Sequence, residues 1–310
     1  MPTDIALAIS DVSHRYGERV AVDSLSLEIG VGEIFVFLGP NGSGKTTLFR
    51  VLSTLIPLQA GEVTLLGHDL RSQMDAARQK MGVVFQAPSL DKKLTVAENL
   101  HHQGVLYGLP AEELNQRKTE MLAALGLTDR AKERAEKLSG GQRRRVELAK
   151  GMLHRPRLLL MDEPSTGLDP GARADLWKTL RQVREQDGVT IVMTTHLLEE
   201  AERADRIAIM HEGKLAALDT PAALQASVGG DSITIRTEQP TELAEAIHVR
   251  FECEAVVLDG TVRLEQPDGH QWISKLVEAF PEKIESITLG KPTLEDVFID
   301  CTGHRFLDEG

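Results

Sequence analysis

Short, mainly hydrophobic runs recur along the chain: IFVFL at Ile34–Leu38, MGVVF at Met81–Phe85, LLLM at Leu158–Met161 and VTIVM from Val189. Each predicts a strand covered on both faces, as in a parallel sheet. The first thirty residues are patterned differently. Ile5, Leu7 and Ile9 alternate with Ala6 and Ala8, and Val20, Val22, Leu25, Leu27 and Ile29 alternate with small and polar residues. That period predicts antiparallel strands over residues 5–29, with HRYGERV as the loop between them. LQAGEVTLLGHDL reads as a hairpin, and RIAIM followed by HEGKLAALD as a last strand and hairpin.

Helical spacing marks Leu48, Val51, Leu52 and Leu55, and again Val146, Ala149, Met152 and Leu153. Residues 95–135 are mainly helical: Thr95 and Glu98 fit a capping box, Pro110 interrupts, and Leu114, Met121, Leu122 and Leu125 stand among charges. A helical subdomain over about 95–155 therefore separates two β-rich parts. After SVGGDS the pattern changes. SITIRT, TELAEAIHVRF, EAVVLDG, TVRLEQ, HQWISKLVEAF and IESITLG read as β-α-β-β-α-β, with a turn at Asp259-Gly260 and a short helix in PTLEDVFID. That order predicts a small ferredoxin-like α+β domain over residues 226–310, behind an α/β domain over 1–225.

Candidate chemistry falls at the ends of the predicted strands. GPNGSGKT, residues 39–46, has the P-loop spacing and lies between a buried strand and a helix. Gly39, Gly42 and Gly44 suit backbone angles closed to other residues, so the loop turns its N–H groups inward as an anion nest. Lys45 adds positive charge for phosphates, and Thr46 a hydroxyl for Mg²⁺. LSGGQ, Leu138–Gln142, opens a helix with Ser139, Gly140 and Gly141, which makes a second anion site, a plain N-cap being the lesser alternative. The basic run Arg143–Arg145 reads as a solvated helix face.

LLLMDE ends in Asp162, placed to bind Mg²⁺, and Glu163, placed to polarise an attacking water. Gln86 and His196 each follow a buried strand, where open α/β sheets bind ligands. Tyr16, beside Gly17, suits stacking on a purine and equally packing on a sheet edge. His101 and His102 read as surface residues, with no ligand partners at metal spacing.

Taken in order, GPNGSGKT, Gln86, LSGGQ, LLLMDEP, GLD and His196 resemble the ATP-binding subunits of ABC transporters over about residues 5–225. The fold class implied is α/β, a P-loop NTPase of the ABC ATPase type with a mixed sheet core, an antiparallel β subdomain and a helical subdomain. The resemblance implies ATP and Mg²⁺ as cofactors. It makes Tyr16 the adenine-stacking residue, and Gly39, Pro40, Asn41, Gly42, Ser43, Gly44, Lys45, Thr46 and Thr47 the phosphate loop. Ser139, Gly140, Gly141, Gln142 and Asp169 are implied to complete nucleotide binding, with Gln86 coupling the nucleotide to a transport partner. Thr46, Gln86 and Asp162 are the implied metal ligands, and Glu163, His196 and Lys45 the implied catalytic residues. GKPTLEDVFID and DKKLTVAENL look like segments of the drug and polymer exporter group, including the daunorubicin/doxorubicin resistance type. Partners implied are a second copy packed head to tail and separate transmembrane permease subunits.

Composition narrows the alternatives. The formal net charge of -12 opposes binding to nucleic acid. Two cysteines, Cys253 and Cys301, fit a reducing compartment rather than a disulfide framework. No apolar run approaches the roughly 20 residues that cross a bilayer, and MPTDIALAIS lacks the basic start of a secretory signal. The expected location is the cytoplasmic side of a membrane, held there by permease chains. A soluble ABC-type ATPase of translation or DNA maintenance is the alternative; one P-loop, one LSGGQ and no sustained heptads stand against it. Glu163 and His196 together stand against a catalytically dead regulatory module.

Overall fold

The computed structural model describes residues 4–258, 260–304 and 306. It divides into two compact units, the first ending at Leu218 and the second beginning at Asp219.

The first unit opens with strands β1 (Ile5–Tyr16), β2 (Arg19–Gly30) and β3 (Ile34–Leu38), helix α1 (Lys45–Leu52), strands β4 (Ala60–Leu65) and β5 (His68–Asp69), helix α2 (Met74–Gln79) and strand β6 (Met81–Val84). Helices α3 (Val96–Leu106), α4 (Ala111–Ala124) and α5 (Gly140–Met152) follow. The unit is completed by β7 (Leu158–Asp162), α6 (Pro170–Asp187), β8 (Thr190–Thr195), α7 (Leu198–Ala201), β9 (Arg206–His211) and β10 (Lys214–Asp219).

Two sheets organise these elements. β1, β2, β4 and β5 form an antiparallel sheet in the order β2-β1-β4-β5. β3 lies inside a six-stranded sheet, β10-β9-β3-β8-β7-β6, parallel to both β8 and β9. Every residue of β3, β7 and β8 is buried, the polar ends Asp162, Thr194 and Thr195 included, as their mainly apolar runs lead one to expect. One hydrophobic cluster joins Phe35 and Phe37 of β3 to Leu48, Phe49 and Leu52 of α1 and to Ile9, Leu25 and Ile29 of the antiparallel sheet. The turn between β3 and α1 is thus anchored at both ends in packed layers.

Two local expectations meet different fates. Thr95 caps α3, its side chain accepting from Glu98 N while the Glu98 carboxylate accepts from Thr95 N, so the capping box is present. HRYGERV, however, is not a loop. β1 runs through to Tyr16 and β2 begins at Arg19, leaving a tight turn whose Gly17 stands at φ +59°.

The second unit contains α8 (Pro221–Val228), β11 (Asp231–Arg236), α9 (Pro240–Phe251), β12 (Val256–Leu258), β13 (Thr261–Gln266), α10 (Gly269–Ala279), β14 (Ser286–Gly290) and α11 (Leu294–Thr302). β11 to β14 follow the β-α-β-β-α-β order and form an antiparallel sheet, β12-β13-β11-β14. Ile233, Ile235, Leu243, Ile247, Val262, Leu264 and Leu276 form its core, with Trp272 and Phe280 packed against them. Of the expected hairpin turn, Asp259 lies outside the described residues. The fold class is the one the sequence predicts.

Candidate active site

Residues 39–44 turn from the end of β3 into α1. Gly44 stands at φ +100°, and a Cβ there would lie 2.3 Å from Ala21 O, so conformation and space both demand glycine. Gly39 departs from expectation: it is outside the left-handed region, and space alone requires it, since a Cβ would meet Met210 O at 2.4 Å. Lys45 is 3% exposed, and its Nζ donates to Gly39 O and Pro40 O, each at 2.7 Å. Burial pulls its pKa down to about 8, against the opposing attraction of Glu163 and Asp162. A cavity of about 340 Å³ opens in front of the turn, lined by Tyr16, Arg19, Asn41, Gly42, Gly44, Lys45, Thr46, Thr47 and Glu163. Tyr16 is 47% exposed, and its ring stands edge-on to His14 with centroids 4.9 Å apart.

The carboxylates come from the next strands of the same sheet. Asp162 closes β7, and the Thr194 hydroxyl of β8 donates to its Oδ1 at 2.6 Å. The same hydroxyl accepts from Glu163 N at 3.0 Å. Burial pushes the Asp162 carboxyl above the usual range, opposed by the Thr194 hydrogen bond and reinforced by Glu163. Glu163 sits at φ +42°, a conformation that costs a non-glycine residue about 1–3 kcal/mol. Its Oε2 accepts from Gln86 Nε2 and from Thr166 Oγ1, both at 3.0 Å. His196 Nδ1 lies 3.3 Å from the same oxygen, though not aligned for a hydrogen bond.

LSGGQ is placed apart. Ser139 caps α5, its Oγ accepting from Gln142 N at 3.2 Å while Gln142 Oε1 accepts from Ser139 N at 2.9 Å. The capping reading therefore holds here, and it leaves the Ser139 hydroxyl proton to donate outward. Gly140 and Gly141 form the first turn of α5, and a separate cavity of about 200 Å³ is lined by Ser139, Gly141, Leu168 and Ala172. Asp169 caps α6, accepting from Ala172 N at 2.9 Å. The structure thus gathers Tyr16, the P-loop, Gln86, Asp162, Glu163 and His196 at one end of the sheet, and sets Ser139 and Gly141 on a second cavity, with Gly140, Gln142 and Asp169 in the adjoining helix starts.

The basic run needs correcting. Arg144 is buried, not solvated, because its guanidinium reaches back to the backbone beyond β7 and β6. Sequence patterning also missed Arg19 on the cavity wall and Thr166 and Thr194 beside the carboxylates. For Arg19 the signal was available: two residues beyond Gly17, it falls in register with Tyr16 once the turn is tight. Thr46, Gln86 and Asp162 offer hydroxyl, amide and carboxylate oxygens, a hard donor set that suits Mg²⁺.

A glycine-rich turn and a buried lysine at a helix start, next to two carboxylates at the end of an α/β sheet, define a P-loop nucleotide-binding ATPase. A family model described as ABC transporter matches residues 22–166. Daunorubicin resistance ATP-binding protein DrrA2 of Streptomyces coeruleorubidus is 37% identical, covering 97% of this chain and 96% of its own. Nod factor export ATP-binding protein I of Rhizobium johnstonii is 36% identical, covering 97% and 96%. Among solved structures, a dimeric post-hydrolysis state of an ATP-binding cassette bound to ADP and Pi aligns with a TM-score of 0.62 at 28% identity, covering 69% of this chain and 98% of that one. The chain belongs to the ABC transporter family, as one of its ATP-binding, ATP-hydrolysing subunits.

Proposed function

We propose that this protein is the motor of an export system, in which two copies pack head to tail around two ATP molecules and drive separate membrane-spanning subunits. The observation that carries the reading is the convergence of Gln86, Thr166 and His196 on one oxygen of Glu163, at the wall of the cavity lined by the P-loop. The separation of the Ser139 cavity from the P-loop cavity supports the dimer, because a second copy facing the first would bring the two anion sites together. The relatives' names, one a resistance protein and one an export protein, support the outward direction.

Each residue has a physical task in this reading. Tyr16 stacks on the adenine, residues 39–47 receive the phosphates through backbone N–H groups, and Lys45 neutralises charge between them. Thr46, Gln86 and Asp162 would hold Mg²⁺, which supplies further positive charge to the phosphate oxygens. Glu163 accepts a proton from the attacking water, and His196 donates to the terminal phosphate. Ser139, Gly140, Gly141, Gln142 and Asp169 serve the nucleotide of the other copy. Phosphate release removes the shared anion and lets the pair open, and the surface around Gln86 passes that motion to the membrane chains. Among the described residues no helix is long and apolar enough to cross a membrane, so in this reading other chains supply the spans on whose cytoplasmic side the protein sits.

The test is purification of the tagged protein from detergent-solubilised membranes. The expected companion is a membrane chain of several spans without a P-loop. Full ATP turnover in a preparation that never captures such a chain would contradict the motor role.

A further inference from the structure

Arg144 holds together three pieces of backbone that are far apart in sequence. Its guanidinium has five N–H groups, and five acceptors meet them. Nε donates to Pro164 O at 2.5 Å. Nη1 donates to Phe85 O at 2.7 Å and to Glu147 Oε2 at 2.9 Å, and Nη2 to Asp162 O and Glu163 O, each at 3.3 Å. The residue is 7% exposed, so water does not compete for these donors.

Its neighbours on α5 extend the attachment. Glu147, itself buried, accepts from Ser89 N at 2.5 Å, and Lys150 Nζ donates to Ser89 O at 2.8 Å. Residues 144, 147 and 150 lie on one face of the helix. That face is fastened both to the segment carrying Gln86 and to the peptide carrying Glu163. The N-terminus of the same helix is capped by Ser139, about one and a half turns before Arg144.

We propose that Arg144 is a positioning residue for Glu163, relaying displacement of the Ser139 end of α5 to the Glu163 peptide and the start of the Gln86 segment. The relay rests on the proposed head-to-tail dimer, in which Ser139 serves one nucleotide while Glu163 of the same copy acts on the other. It makes each copy's hydrolytic carboxylate sensitive to occupancy of the opposite site. A lysine cannot reproduce it, because one ammonium cannot span the Pro164, Phe85 and Glu163 carbonyls as a planar fork does.

The experiment compares wild type, Arg144→Lys and Arg143→Ala for ATP affinity by fluorescent-nucleotide titration, and for kcat and the Hill coefficient of hydrolysis. Arg144→Lys is expected to bind ATP within about twofold of wild type, to lose roughly tenfold to hundredfold in kcat, and to hydrolyse with a Hill coefficient near one. Arg143→Ala is expected to match wild type. If Arg144→Lys fails to fold, Glu147→Gln tests the same attachment and is expected to lower kcat and the Hill coefficient in the same direction. A folded Arg144→Lys with wild-type kcat and cooperativity overturns the proposal. Sizing of Glu163→Gln with ATP separates the two levels: a protein that stays monomeric overturns the dimer reading, and the relay with it.

Discussion

Lys45, Arg144, Glu147, Asp162 and Glu163 are all buried in the first unit, and they crowd the ends of β3, β6, β7 and β8. In the second unit the buried charge, among the described residues, is Asp296. Its surroundings differ in kind. Asp296 Oδ2 accepts from Thr293 N at 2.6 Å and Thr293 Oγ1 at 2.8 Å, its Oδ1 meets the Arg263 guanidinium, and Arg263 Nε is in turn held by Ser232 Oγ at 2.9 Å. Both line cavities, about 460 Å³ at Asp296 and about 340 Å³ at Glu163, but Glu163 gathers Gln86, Thr166 and His196 on a single oxygen and stands in a strained backbone conformation. A charge locked on both oxygens by its own helix cap and an arginine stabilises a fold. A charge held through one oxygen only is available for chemistry.

The largest effect expected from that contrast is on turnover. Glu163→Gln keeps the shape and the Gln86 contact while removing the base, so kcat should fall by about 10²–10⁴ with the melting temperature nearly unchanged. Unchanged turnover would place the chemistry elsewhere. Lys45→Ala is expected next: ATP affinity measured by calorimetry should weaken about tenfold to a hundredfold, the loss of a charge-assisted contact of about 1.5–3 kcal/mol. The mirror experiment is Asp296→Ala, which removes one partner of a buried pair and should destabilise the second unit by about 3–5 kcal/mol in a urea titration. Nucleotide affinity should stay at the wild-type value, and its loss in a folded protein would erase the distinction between the units.

The smallest effect concerns acid stability. Burial holds the His154 imidazole below the usual range, more than the Met81 carbonyl contact raises it. At this residue the folded state then binds fewer protons than the unfolded chain at acid pH, so its contribution to stability is constant above about 6.5 and is lost as pH falls below it. His154→Phe preserves a ring against Tyr107, which stacks on His154 at 3.7 Å, and should melt with a shallower acid decline than wild type. A steeper decline would reverse the assignment.

What was legible in the sequence follows from how local each feature is. β3 and the apolar runs Leu158–Met161 of β7 and Ile191–Met193 of β8 announce themselves because a strand buried on both faces is mostly apolar. The P-loop is legible because its glycines, lysine and threonine are contiguous. Tyr16 was assigned to a loop because the polar run His14–Arg19 around Gly17 looks like a connection, although all but two of its residues belong to the ends of β1 and β2. Arg144 was hidden for a different reason. Its acceptors are main-chain carbonyls at residues 85, 162, 163 and 164, which carry no side-chain identity, and a run of three arginines looks solvated whichever of them turns inward. Thr194 was hidden inside a buried strand, where a threonine is as easily a packing residue as a link between Asp162 and the Glu163 amide.

The most direct test of the central claim, that two copies clasp ATP between the P-loop of one and the Ser139 end of the other, is the mass of Glu163→Gln measured by light scattering on a sizing column, with and without ATP. The account predicts a monomer of 34.0 kDa without nucleotide and twice that mass with ATP, the doubling abolished when Ser139→Arg is added. A protein that binds ATP fully yet keeps the monomer mass, or dimerises equally well with Ser139→Arg, would contradict it.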